Sequence, residues 1–265
     1  LSVLLHISDP HFGTERPEVV DALLRLAGQL QPERVILSGD ITQRARAAQF
    51  AAAREFVDAL PAPALVIPGN HDIPLFNLWA RLVSPYAGFR CAFGPALECE
   101  WSTPQWLVIA LNTTRWWRHK DGEVSGSQCR RVAQRLRQAA PGQVRVVVTH
   151  QPLLAIREND VANLLHGHAQ VAPAWTEAGA DLLLGGHIHL PYVRPLRKAY
   201  PQLSRESHVV QAGTAVSRRV RGDVPNSVNV LRREGAADCV VERWDYDSAE
   251  GRFMLHGRHA LPVSR

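Results

Sequence analysis

The sequence predicts a mixed α/β (α+β) fold, a parallel sheet covered by helices that passes into a β-rich C-terminal part. Three observations predict it. Strand and helix patterns alternate through the first third of the chain. The strand segments there are apolar at every position rather than at alternate ones. Beyond Pro191 the helical pattern gives way to short strands separated by turn residues.

In chain order, "VLLHIS" is a first strand, and "PEVVDALLRLAGQL" carries the i, i+3, i+4 apolar spacing of an amphipathic helix. "RVILSG" is the second strand, "AAQFAAAREFVDAL" the second helix and "ALVIPG" the third strand. Such a series implies parallel pairing through right-handed crossovers. "QWLVIALN" is a strand, followed by a loop over residues 113–125 rich in Trp, Arg and Gly. "SGSQCRRVAQRLRQAA" is a helix with Ser125 or Ser127 as N-cap. "QVRVVVTH" and "ADLLLGGH" are strands with helical pattern between them. "SHVVQAGT", "SVNVLRR", "DCVVERWDY" and "GRFMLHGRH" are the short strands of the tail. There is no repeat, low-complexity tract or linker, so residues 1–265 are expected to form a single domain.

The apolar runs are strand-sized, so no membrane span is expected. "LSVLLHISD" has neither a basic leader nor a cleavage site, so no signal peptide is expected; the chain does not begin with Met, so residues missing from its front are expected. The four cysteines, Cys91, Cys99, Cys129 and Cys239, form no Cys-x-x-Cys pair, which argues against a zinc ribbon and for free thiols in the cytoplasm. The formal charge of +5 includes clusters such as "SRRVRGD", but no basic stripe interleaved with aromatics, so no specific nucleic-acid partner is expected.

The chemistry gathers where the apolar strands end. Asp9 and His11 follow "VLLHIS", Asp40 follows "RVILSG", and Asn70, His71 and Asp72 follow "ALVIPG". His150 follows "VRVVVT", and His187 and His189 follow "DLLLGG". Ligands bind at the carboxyl edge of open α/β sheets. Singly, Asp and Asn cap helices, and Gly-Asn or Gly-Asp makes turns. Together these residues point to metal. An extended His187-Ile188-His189 would put both imidazoles on one side. Carboxylates, imidazoles and an amide without thiolate suit Mn, Fe, Zn, Co or Ni. The donors exceed the needs of one tetrahedral ion and fit two, about 3.5–4 Å apart around a shared carboxylate; such a pair polarises phosphorus–oxygen bonds and makes hydroxide available near neutral pH.

The ordered blocks "DPH", "GD", "GNHD", "TH" and "GGHIH" resemble the signature of the calcineurin-like metallophosphoesterase superfamily, and within it are most similar to the bacterial class III cyclic nucleotide phosphodiesterases. The resemblance implies a four-layer α-β-β-α sandwich and two divalent transition-metal ions, Mn or Fe foremost, with Zn, Co or Ni as alternatives. It implies that Asp9, His11 and His189 hold one ion, that Asn70, His150 and His187 hold the other, and that Asp40 bridges them. It further implies that His71 faces the leaving-group or a nonbridging phosphate oxygen and that Asp72 orients His71. The implied activity is hydrolysis of small phosphodiesters, 3′,5′-cyclic nucleotides included.

Outside the signature, His6 reads as a satisfied core histidine, and His166 and His168 as loop or capping residues or as part of a substrate wall. In the 113–125 loop, Arg115 can bind phosphate and Trp116 can stack on a base, with Asn70 completing the substrate contacts; equally, Trp116 and Trp117 can pin the loop to the surface or to the partner of a homodimer. Arg218 or Arg219 is a further candidate near the pocket. The competing functions are a nucleotide-sugar lipid pyrophosphatase, which calls for an amphipathic insertion, a broad-specificity phosphomonoesterase, a DNA nuclease and a non-catalytic metal-binding scaffold. The complete donor set speaks against the scaffold.

Overall fold

The computed structural model describes residues 2–233 and 238–262. The chain opens with β1 (Ser2–Ile7), α1 (Pro17–Leu30), β2 (Arg34–Ser38), α2 (Ala47–Asp58) and β3 (Ala64–Ile67), and the three strands pair in parallel. Two short helices follow, α3 (Leu78–Val83) and α4 (Ala87–Phe93). A second sheet is then built from β4 (Cys99–Ser102), β5 (Trp106–Ala110), β6 (Val144–Val148), β7 (Leu182–Gly185), β8 (Tyr192–Pro195) and β9 (His208–Gln211), with α5 (Gly126–Arg137) and α6 (His168–Glu177) between its strands. The tail strands β10 (Ser227–Arg233), β11 (Asp238–Asp247) and β12 (Arg252–Pro262) return to the first sheet, where β10 pairs antiparallel with β1.

The sheets have the orders β12-β11-β10-β1-β2-β3 and β4-β5-β6-β7-β9-β8. Strand alternation explains why the central strands are apolar throughout. Leu4, Ile36, Val146 and Leu184 face the layer between the sheets. Leu5 and Leu37 face α1 and α2 on one outer side, while Val147 and Leu183 face α5 and α6 on the other. The result is the four-layer α-β-β-α arrangement. Ser125 caps α5, accepting from the Gln128 N–H while the Gln128 side chain accepts from the Ser125 N–H. The sequence pattern does not reveal α3, α4, β4 or β8. β4 and β8 are four-residue edge strands, and α3 has no buried face whose periodicity could be read.

His6 is the satisfied core histidine its position suggests. Its Nε2 lies 2.9 Å from Ser38 Oγ, and Asn229 Nδ2 lies 3.4 Å from its Nδ1. Burial pushes its pKa down to about 3, against the pull of Asp9. The unfolded chain therefore takes a proton that the fold refuses. This contribution to stability is whole above about pH 6.5 and is lost as pH falls toward 3, with a slope approaching about 1.4 kcal/mol per pH unit. Urea unfolding from pH 4 to 7 should show a shallower pH dependence for His6→Gln than for the wild type. Parallel curves would remove His6 as the source.

Candidate metal centre

The donors sit on loops that leave the carboxyl ends of β1, β2, β3, β6 and β7, where the two sheets meet. Backbone bonds lace these loops together: the N–H of His11 donates to Asp40 O (3.0 Å), and that of Gly186 to His150 O (2.8 Å). Two glycines permit the approach. A Cβ on Gly186 would overlap Ser8 Oγ and Asp9 Oδ2, and one on Gly69 would overlap the backbone N and Oδ1 of Asp40.

The His187-Ile188-His189 segment is not extended. His187 and His189 have φ of 71° and 57°, in a bend after β7. Asp9, His11 and Asp40 share this left-handed conformation, with φ of 53°, 45° and 48°. Each such residue costs about 1–3 kcal/mol and persists because the packing around it dictates it. The imidazoles therefore converge through backbone strain rather than strand alternation.

Two donor groups result, and Asp40 belongs to both. Asp9, His11, Asp40 and His189 form one, and Asp40, His150 and His187 the other, with the donor atoms of each lying within 4.8 Å of one another. His11 Nε2 and His189 Nε2 are 3.2 Å apart, and His189 Nε2 is 3.3 Å from Asp9 Oδ1. Asp40 turns Oδ2 toward His11 (3.7 Å) and Oδ1 toward His150 (3.2 Å). His11, Asp9 and His150 are fully buried, and Asp40 is 2% exposed.

These residues fit divalent ions. His150 Nδ1–H donates to Ser38 O (2.8 Å), and His189 Nδ1–H donates to Arg219 O, so each ring leaves Nε2 free for a ligand. Asn70 Oδ1, His150 Nε2 and His187 Nδ1 are buried without a hydrogen-bond partner. Buried polar atoms are almost always paired, and these three are one from each residue of the expected second site. His150 Nε2 approaches Asp40 without hydrogen-bond alignment. Burial opposes a charge on His150, yet Asp40 prevails and lifts its pKa to about 9. Burial likewise works against the Asp40 carboxylate, but His150 and His71 hold it well below the usual range. The cluster calls for positive charge.

Three expectations need correction. Asp72 does not orient the His71 ring. Its carboxylate accepts from the N–H groups of Ile41 (3.1 Å), Thr42 (2.8 Å) and Gly69 (2.8 Å) and from Thr42 Oγ1 (2.9 Å), stapling the β2 and β3 loops together. The ring is held instead by Gln43 O, which accepts from Nδ1–H at 2.9 Å. Arg115 is committed elsewhere, donating to the carbonyl oxygens of Asn112 and Thr114 and to Gln128 Oε1 (2.8 Å). Neither Arg115 nor Trp116 lines the cavity of about 740 Å³ that opens over Asp40, Asn70, His71, His187 and His189. His119, Lys120 and Arg219 line it instead. Arg219 Nη1 donates to His71 Nε2 (3.1 Å) and to Gln43 Oε1 (3.3 Å), a contact the sequence marks only faintly. Its signal was only an arginine pair after a tail strand. His168 does not cap α6, whose N-cap is Gly167 without a side-chain cap bond; its Nδ1–H donates to Leu165 O just before the helix.

Residues 2–191 match the model of the calcineurin-like phosphoesterase family. The chain is 28% identical over 169 residues to a probable cyclic nucleotide phosphodiesterase of Synechococcus sp., covering 63% of this chain and 61% of that protein. It is 36% identical over 81 residues to a glycerophosphodiester phosphodiesterase of Enterobacter lignolyticus, covering 26% of this chain and 29% of that one. The match thus spans less than two thirds of either relative. A dimetal phosphatase from Danio rerio superposes with a TM-score of 0.69 at 13% identity over 99% of both chains, a likeness of fold.

Proposed function

The chain belongs to the calcineurin-like phosphoesterase family, and on that premise we propose that it hydrolyses small phosphodiesters, 3′,5′-cyclic nucleotides among them, at a pair of divalent transition-metal ions. The observation that carries this reading is Asp40, whose two carboxylate oxygens face two separate donor groups. Asp9, His11 and His189 would hold one ion, and Asn70, His150 and His187 the other, with Mn or Fe as the expected pair. When bound, such ions polarise the phosphate and make a water acidic enough to attack phosphorus near neutral pH. The diester preference draws support from the two relatives whose names carry that activity. The free thiols Cys91, Cys99, Cys129 and Cys239 suit a reducing compartment, and we place the protein in the cytoplasm. Among the described residues, no helix is long and apolar enough to cross a membrane.

In hydrolysis, water oxygen bonds to phosphorus, one ester P–O bond breaks, and the departing alkoxide takes a proton. Gln43 O can only accept, so His71 carries hydrogen on Nδ1 and presents Nε2 to the cavity and to Arg219. A phosphate entering there offers Arg219 a better partner than a neutral imidazole. The guanidinium then follows the nonbridging oxygen, and the freed His71 Nε2 takes up the proton that the attacking water sheds and passes it to the leaving-group oxygen. Asp72 keeps the backbone of both loops in place for this exchange.

The manganese-loaded protein is expected to cleave bis-nitrophenyl phosphate and cyclic nucleotides. Cleavage of monoesters with no diester hydrolysed would overturn the diesterase reading. His71→Ala should keep both metals and lose about 10²- to 10⁴-fold in kcat on alkyl diesters. The loss should shrink with a nitrophenolate leaving group, which departs without a proton. Loss of metal from this variant would instead make His71 a ligand.

A further inference from the structure

Five segments close a collar around the mouth of the cavity. The Arg44 guanidinium lies over the Phe76 ring at 5.5 Å, and Arg81 of α3 donates to Arg118 O. Lys120 Nζ donates to Asn163 Oδ1 (3.2 Å), Arg221 pairs with Asp160 (2.7 Å), and Arg219 returns to Gln43 (3.3 Å). Each segment also sends a residue into the cavity: Arg44, Leu75, Lys120, Asn159 and Val220 all line it.

The collar also carries exposed apolar side chains. Phe76 is 79% exposed, Trp79 75% and Leu78 72%, and Trp117, Val161 and Val220, in the other collar segments, are exposed as well. Among the described residues, Leu82 and Val83 continue this exposed apolar run along α3. Single exposed hydrophobics are ordinary, but the run Phe76, Leu78, Trp79, Leu82 and Val83, directly after the cavity-lining Leu75, is not. α3 buries none of its residues, so its Leu and Trp side chains contribute nothing to the core. Arg44, Lys120 and Arg219 stand among the apolar groups, giving an anion-attracting mouth with an apolar rim.

We propose that the collar seats an apolar ester arm of the substrate, so that the enzyme also takes anionic amphiphilic phosphodiesters of the phospholipid type. The phosphate enters the cavity past the cationic groups while an alkyl or acyl chain lies across Phe76, Leu78 and Trp79. A cyclic nucleotide has no such arm and leaves the collar unused. The inference rests on the phosphodiesterase reading for turnover but not for binding. The test therefore begins with binding of butyl-, octyl- and dodecylphosphonate, below their micelle concentrations, to the manganese-loaded protein. Tryptophan emission should shift to the blue, with affinity rising at least about tenfold from butyl to dodecyl, as burial of methylenes demands. The Leu78→Ser, Trp79→Ser double variant should flatten that rise. In turnover, KM for nitrophenyl alkyl phosphates should fall with chain length in the wild type alone. Affinity independent of chain length overturns the proposal, as does a chain-length dependence unchanged in the double variant. So does a dimer that the double variant dissociates, since a second copy would then cover the collar. Chain-length-dependent phosphonate binding without cleavage of any diester would uphold the collar and sink the diesterase reading.

Discussion

Asp40→Asn should bind no more than one ion per chain and lose on the order of 10³-fold or more in kcat/KM. Removing one preorganised polar contact to a transition state costs about 10²- to 10³-fold, and Asp40 does more than that. Its two oxygens are the shared edge of both donor groups, and Asn keeps the shape while offering one neutral acceptor in place of a carboxylate. The same oxygen that faces His150 also accepts from the His71 N–H at 2.8 Å, so the substitution loosens the leaving-group side as well. Elemental analysis of the purified variant, beside its turnover of bis-nitrophenyl phosphate, checks both. Two retained ions with full activity would end the bridging role.

Metal loading should raise the melting temperature by about 10 °C. Each ion present at a hundredfold excess over its dissociation constant adds about 2.7 kcal/mol, and about 2 °C accompanies each kcal/mol in a chain of this size. The physical source is plain. Without cations, the buried carboxylates of Asp9 and Asp40 face one another across a cluster with three unpaired polar atoms and five strained backbone positions. Ions satisfy the donors and relieve the repulsion. Calorimetry of manganese-loaded and chelator-treated protein measures the difference, and coincident melts would mean that the cluster is not a metal site.

The strands and the donor positions were legible because both are written locally. Val146 and Val147 face opposite buried layers, so β6 had to be apolar throughout, and the strand ends then named the loops that carry Asp9, Asp40, Asn70, His150 and His187. The left-handed backbone at His187 and His189 was not legible, because it arises from His187 N–H donating to Asp9 and from the Arg219 carbonyl holding the His189 ring. Asp72 was misjudged for a similar reason. Adjacent to His71 in sequence, its carboxylate spends its acceptor positions on a loop about thirty residues away. Arg115 looked available because nothing in the sequence shows that Gln128, at the first turn of α5, binds its guanidinium. The collar was invisible for the opposite reason. The short stretch that holds Leu78 and Trp79 carries no periodic pattern, and only the fold shows that these side chains have nothing to pack against.

Electron paramagnetic resonance of the manganese-loaded protein tests the proposed pair of ions sharing Asp40 most directly. Two ions about 3.5–4 Å apart around one carboxylate should be exchange-coupled, giving two manganese per chain with the isolated six-line signal suppressed and restored by Asp40→Asn. One manganese per chain, or two with undiminished six-line signals, would contradict it.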